Sequence, residues 1–270
     1  MSHPRSYLFV PADRPERFAK ALASGADEVV IDLEDAVNPQ DKESARAGLR
    51  SWLEAAAPGT GVCVRVNGTQ TAWHAEDLAL AALPAVRAIM LPKTESKAMV
   101  KAVRAGMRAD QALIGLVESV AGILALREIA QSGAVARLAF GSVDFCTDAG
   151  MQDADGALLA VRTALTLESR FGGLPAPVDG VSVSIADTDL IGRDVRQARA
   201  LGYGAKLCIH PRQVEVVNAG FLPSAQERDW ANRVMAAVEA GVHGAIAVDG
   251  KLIDKPLIEQ ARRILEQPLA

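Results

Sequence analysis

The chain has 270 residues, 50% of them hydrophobic, and a formal net charge of -4 at pH 7. That length suits one large domain whose core needs neither disulfides nor a structural metal, and the acidic balance lacks the basic footprint of a nucleic-acid binder. No apolar run approaches the ~18 residues of a membrane span, and MSHPRS leads straight into a strand-like run without a signal-peptide core. A soluble, cytoplasmic protein with no nucleic-acid and no membrane partner is expected. Cys63, Cys146 and Cys208 are scattered, which reads as small core residues in a reducing compartment rather than a disulfide framework.

Eight short apolar runs, each ending in a polar or charged cluster, divide the chain. YLFVP (7–11) comes first, followed by a helical pattern over 14–24 with Asp13 as N-cap and Pro15 near the first turn. EVVIDLED (28–35) precedes the turn Asn38-Pro39 and a helix over 41–56. GVCVRVN (61–67), AIMLPK (88–93) and LIGLVES (113–119) are followed by helical patterns over 71–82, 95–108 and 120–131. RLAFGSVD (137–144) runs into the polar loop FCTDAGMQDADG and a helix over 157–171. DGVSVSI (179–185) and AKLCIHP (205–211) complete the set, with helices over 189–201 and 211–219.

Strands that are nearly continuous apolar runs, alternating with helices, indicate a parallel sheet covered on its outer face. Eight such units suit an α/β fold, the closed (β/α)8 TIM barrel, whose active site lies at the C-terminal ends of the strands. The remaining segment exceeds what a barrel needs: an amphipathic stretch over 225–240, a strand pair in AIAVDGKLI with a tight turn at Asp249-Gly250, and a helix over 256–266. The expected organisation is a barrel over 1–222 and a C-terminal helical extension over 223–270.

Glu118 and Asp144 end the fifth and sixth apolar runs, so their carboxylates are expected side by side at the barrel mouth. Two such carboxylates suit Mg²⁺, which completes its octahedron with water and substrate oxygens; the alternative is a helix cap or a surface charge. Glu34 and Asp35 close the second run, with Asp32 in the same strand, and alternation lets only some of them face the mouth. Arg65 is a charge inside an apolar strand, satisfied either by Asp32 or Glu34 or by a substrate carboxylate in a bidentate fork. Lys93 has the same two readings, with a surface lysine weighing more. His210 is a ligand or acid/base candidate against the commoner satisfied strand-end histidine. GxGxxG, Walker A and CxxC patterns are absent.

The segments YLFVPADRPERFAKA, VVIDLEDAV, VRVNG, IMLPKTES, VES, GSVDF, GAKLCIHPRQ and VDGKLIDKP, taken together and in order, resemble the citrate lyase β-subunit-like family, within the HpcH/HpaI aldolase and malyl-CoA lyase superfamily. The resemblance implies a Mg²⁺-dependent carbon–carbon lyase that cleaves a β-hydroxyacyl thioester (citryl-, malyl- or citramalyl-CoA) into acetyl-CoA and an α-keto acid. It implies Glu118 and Asp144 as metal ligands, with Glu34 and Asp35 around the metal-bound waters. It gives Arg65 the keto-acid carboxylate and places Lys20, Ile209 and His210 in substrate binding. Asp254, in LIDKP, takes the position that exchanges a proton with the thioester methyl group, on a tail delivered by a neighbouring subunit of a homo-oligomer, a trimer or hexamer. Where thioester-binding relatives carry an aromatic and basic residues in the first β/α unit, this chain has Phe9 and Glu16, whereas Lys20 matches. Asp35 stands where CoA-independent aldolases carry histidine, which favours the thioester branch. A CoA-independent pyruvate aldolase, and a catalytic or scaffold β-subunit acting on a carrier-bound acyl group, stay open as alternatives.

Overall fold

The eight apolar runs pair in chain order as a closed barrel of parallel strands. These are β1 (Ser6–Pro11), β2 (Glu28–Asp32), β3 (Val62–Arg65), β4 (Val86–Leu91), β5 (Ala112–Val117), β6 (Arg137–Phe140), β7 (Val178–Asp179) and β8 (Ala205–Cys208). The computed structural model describes residues 3–57, 59–154, 156–239 and 246–267. Around the barrel lie α1 (Phe18–Leu22), α2 (Lys42–Glu54), α3 (His74–Leu78), α4 (Lys97–Ala105), α5 (Val120–Leu124) and α6 (Leu126–Ala130). They continue with α7 (Ser142–Ala149), α8 (Leu159–Phe171), α9 (Thr188–Ala200) and α10 (Val214–Gly220).

The unbroken apolar runs follow from burial on both faces. Tyr7, Val30, Cys63, Met90, Leu116, Ala139 and Leu207 fill the barrel interior. Their neighbours Leu8, Ile31, Val64, Ile89 and Leu113 are equally buried on the other face. Each Val, Leu, Ile or Met side chain among them contributes roughly 1.5–3 kcal/mol of transfer free energy. Cys63 and Cys208 belong to this packing, and Cys146 is partly exposed; all are free thiols.

Contacts divide the chain into two compact units, Met1–Asn218 and Ala219–Ala270. The second contains α11 (Ala225–Glu239), β9 (Ile246–Val248), β10 (Lys251–Ile253) and α12 (Lys255–Glu266). β9 and β10 pair antiparallel. Asp249 and Gly250 turn between them at φ 52° and 74°, the positive values a two-residue hairpin requires. This unit has its own small core, with Ala231, Val234, Val248, Ile253, Ala261 and Ile264. Ala240 and Ala245, the expected ends of the long helix and of the strand pair, lie outside the described residues, as do Met1, Ser2 and the end of the expected extension at 268–270.

Several expectations are corrected. Asp13 is not a helix cap: the helical segment after β1 opens with a 3-10 turn, Pro15–Arg17, whose N-cap position is Arg14 and carries no side-chain cap. The helix expected over 120–131 breaks into α5 and α6 at Ala125. The seventh strand ends at Asp179, although VSVSI alternates like a strand. Its polar groups are satisfied away from the sheet: the Ser182 hydroxyl bonds Asp194 at 2.5 Å, and the Gln213 side chain donates to the Ser182 and Ser184 carbonyls, each at 2.8 Å. The segment after the sixth strand begins with a helix, α7, so Asp144 sits in a helical first turn and not at a strand end. Asp155, in that segment, is outside the described residues. No helix among the described residues is long and apolar enough to cross a membrane.

Candidate active site

The side chains that fill the barrel alternate along each strand, and the next positions in the same alternation form its mouth. Val30 leads to Asp32, Cys63 to Arg65, Leu116 to Glu118, Ala139 to Gly141 and Leu207 to Ile209. Asp32, Asp35, Arg65, Glu118, Asp144 and Ile209 line one cavity of about 390 Å³, together with apolar residues including Phe9, Leu116, Val181 and Leu207.

Glu118 follows β5 directly and is 3% exposed. Its Oε1 accepts the backbone N–H of Lys93 at 2.8 Å. Its Oε2 is buried without a hydrogen-bond partner. The carboxylate lies against Gly141, where a Cβ would stand 2.5 Å from both Cβ and Oε2 of Glu118. Gly141 is also the residue from which α7 starts, so the same close packing sets the origin of the helix that carries Asp144. Burial pushes the Glu118 pKa up to about 8; Glu34 and Asp144 add to the shift, while the Lys93 amide and Arg65 oppose it.

Among the described residues no three His, Cys, Asp or Glu side chains gather as a ready-made metal cage. The two carboxylates that could hold a cation here are Glu118 and Asp144, a set that would leave most of an octahedron to water and substrate oxygens, the habit of Mg²⁺. The buried, unpartnered Oε2 of Glu118 fits that ion. A carboxylate oxygen taken from water without a hydrogen bond or cation is costly, and Glu118 lines the cavity that Asp144 shares.

Arg65 is held from three sides. Its Nε and Nη2 donate to the two oxygens of Asp32 at 2.7 and 2.6 Å. Nη1 stands 2.9 Å from Oε2 of Glu34, an ion pair whose angle falls short of a hydrogen bond. Phe9 lies under the guanidinium, 4.8 Å from ring centre to Cζ. Burial alone would lower its pKa, but Asp32, Glu34 and Glu118 together hold it above the ordinary value. Asp32 also accepts the amides of Glu34 at 2.9 Å and Ala36 at 3.1 Å, so it shapes the loop after β2. Of the two sequence readings of Arg65, the structure shows the internal pairing: its bidentate edge belongs to Asp32 and its Nη1 faces Glu34.

Glu34 is buried, and burial raises its pKa against the pull of Arg65 and Lys93. Its Oε1 accepts from the Lys93 ammonium at 2.9 Å. Asp35 is exposed, its side chain 3.9 Å from Arg65 Nη1. Ile209 lines the cavity, whereas His210 caps the turn at Pro211–Gln213, its Nδ1 accepting the Arg212 amide at 3.1 Å. Lys20 is an exposed residue of α1 and is not among the lining residues. Asp254 lies in the second compact unit as the N-cap of α12, accepting the Leu257 amide at 3.3 Å.

Sequence reasoning missed Gly141, whose only signal was a glycine between a strand and two small residues. It also missed Lys42, buried in an exposed-looking helix, whose ammonium donates to the Leu33 and Glu34 carbonyls at 2.8 and 2.6 Å. A third omission is the network on the outer face of β7 and β8. There Asp179 joins Lys206 at 2.9 Å and Arg162 at 3.0 Å, and the two cations hold its pKa below the usual range despite burial. Lone charges inside the apolar runs were the available signal.

Residues 5–211 match the HpcH/HpaI aldolase/citrate lyase family. A citrate lyase subunit beta-like protein of Mycobacterium tuberculosis is 37% identical over 269 residues, covering 97% of this chain and 94% of the relative. A (3S)-malyl-CoA thioesterase of Cereibacter sphaeroides is 35% identical over 272 residues, covering 98% of this chain and 94% of the relative. Among solved structures, the protein CitE from Mycobacterium tuberculosis in complex with magnesium, acetoacetate and coenzyme A gives a TM-score of 0.85 at 34% identity, covering 98% of this chain and 97% of that one.

Proposed function

This chain belongs to the HpcH/HpaI aldolase/citrate lyase family, and we propose that it is a Mg²⁺-dependent carbon–carbon lyase acting on a β-hydroxyacyl thioester of the citryl, malyl or citramalyl type. The single observation that carries this reading is the buried, unpartnered Oε2 of Glu118 in a cavity shared with Asp144 and Arg65. Glu118 and Asp144 would hold the ion, with Glu34 and Asp35 beside them. When bound, Mg²⁺ supplies positive charge against the oxygen that becomes the keto group. Arg65, kept cationic and fixed in place by Asp32, binds the carboxylate of the emerging α-keto acid through its remaining N–H groups. Ile209 and Lys20 contribute to seating the thioester, and His210 shapes the turn beside Ile209.

In the forward direction the β-hydroxyl gives up its proton to solvent water at the mouth, and the adjacent carbon–carbon bond breaks as that oxygen becomes the keto oxygen. The electron pair passes to the methylene carbon of the thioester. Asp254 supplies the proton that turns this carbon into the methyl group of the acetyl thioester. We assign Asp254 to a neighbouring copy in a homo-oligomer, residues 223–270 forming an extension to the barrel of 1–222. The reading gains support from the solved relative with magnesium, acetoacetate and coenzyme A.

A second reading is hydrolysis of the thioester, favoured by the 35% identity to the (3S)-malyl-CoA thioesterase. One experiment separates the two. Citryl-, malyl- and citramalyl-CoA are incubated with protein and Mg²⁺, and products are followed by mass spectrometry and a thiol reagent. Lyase action gives acetyl-CoA and a keto acid; hydrolysis gives free CoA and the intact hydroxy acid. Absence of both, with Mg²⁺ present, refutes the enzyme reading.

A further inference from the structure

Lys93 is one of two non-glycine residues with positive φ among the described residues, at 47°. The other, Asp249, lies in a hairpin turn; Lys93 lies beside Glu118. L side chains rarely adopt this conformation, and where it persists next to a site the surrounding structure enforces it. Its two ends reach the two halves of the site, Glu118, which lines the cavity, and Glu34, which pairs with Arg65. The backbone N–H donates to Glu118 Oε1 at 2.8 Å, and the ammonium donates to Glu34 Oε1 at 2.9 Å. The other Glu34 oxygen faces Arg65 Nη1 at 2.9 Å.

We propose that Lys93 is a positioning residue that sets the two halves separately, its left-handed backbone aiming Glu118 and its ammonium sharing the charge of Glu34 so that Arg65 keeps attraction for a carboxylate. The inference rests on the proposed function, in which Glu118 holds Mg²⁺ and Arg65 holds the keto acid. Because Asp32 already takes one edge of the guanidinium, a Glu34 released from Lys93 would oppose what charge remains. The ammonium is half-exposed, so solvent moderates its effect and a change of roughly one power of ten is expected.

Three variants separate the backbone from the side chain. Lys93→Gly accepts positive φ freely and removes the ammonium together with its stem. Lys93→Val also loses the ammonium, and its branched Cβ strains the left-handed backbone. Lys93→Arg keeps the charge. Calorimetric titration with Mg²⁺ alone, then with pyruvate at saturating Mg²⁺, reads the two halves. Lys93→Gly should bind Mg²⁺ within about 3-fold of wild type and pyruvate about tenfold more weakly. Lys93→Val should weaken both by about tenfold, and Lys93→Arg should restore pyruvate binding. Equal Mg²⁺ affinities for the Gly and Val variants, or unchanged pyruvate affinity in Lys93→Gly, would overturn the inference alone. A wild-type protein that binds neither probe would overturn the functional reading with it.

Discussion

Asp32 and Arg65 are direct neighbours in the register of β2 and β3, and their side chains form a bidentate pair at 2.7 and 2.6 Å. The barrel itself therefore fixes the plane of the guanidinium. In the proposed function this cation also binds a carboxylate, and because it is part of the fold the two roles are expected to fail together.

Arg65→Lys cannot copy the planar fork. It should lower catalytic efficiency by roughly 10²-fold or more, equivalent to about 2.7 kcal/mol of transition-state binding. It should also destabilise the protein by about 2–3 kcal/mol in urea unfolding, because Asp32 is left short of a buried partner. Steady-state kinetics and denaturation on the same preparation check the pair of effects. Full stability with lost activity would mean that the Asp32 pairing contributes little.

Gly141→Ala places a methyl group 2.5 Å from atoms of Glu118, so the carboxylate must move. Mg²⁺ affinity should fall by about tenfold or more while the far-ultraviolet dichroism of the barrel is retained. Glu118→Gln and Asp144→Asn should each abolish Mg²⁺-dependent turnover with the fold intact. Near-normal titration of any of the three would contradict the metal assignment.

Glu28 gives a pH signature far from the mouth. Burial pushes its pKa from 4.5 to about 7, opposed by Arg87. The folded state thus favours the protonated acid: the stabilisation is fully present below the ordinary pKa and is lost as pH rises through about 7. Relative to Glu28→Gln, which cannot ionise, wild type should lose on the order of 2–3 kcal/mol between about pH 5 and about pH 8. Thermal unfolding across that range is the measurement, and parallel curves for the two proteins would refute it.

Asp254 offers a clean distinction between a cap and an acid. Asparagine caps a helix as well as aspartate, whereas alanine costs about 1 kcal/mol. Asp254→Asn should keep the stability of α12 but lose turnover; Asp254→Ala should lose both. Mixed oligomers of Asp254→Asn and Glu118→Gln chains should recover part of the activity if the acid is delivered between copies. No recovery in demonstrably mixed oligomers would mean that the acid acts within one chain or that Asp254 is only structural.

The barrel was legible because burial on both sheet faces writes itself as unbroken apolar runs, and no helix or turn imitates eight of them in order. The mouth was legible for the same reason: Asp32, Arg65 and Glu118 continue the inward alternation of Val30, Cys63 and Leu116. Two kinds of feature escaped. VSVSI has strand periodicity but leaves the sheet, since Gln213, remote in sequence, supplies its hydrogen bonds. The roles of Lys93 and Gly141 depend on a backbone angle and a contact distance, which a one-dimensional pattern does not encode. Asp144 was placed near the mouth for an incomplete reason, because periodicity could not separate the end of β6 from the first turn of α7.

The contact between Gly141 and Glu118 has a consequence for how such a site can change. With no slack between them, a shift of either reshapes the other, so the two sides of the donor pair cannot drift independently. A shift at Gly141 also moves the start of α7 and with it Asp144, so changes at Glu118, Gly141 and the first turn of α7 should be tolerated together and seldom singly.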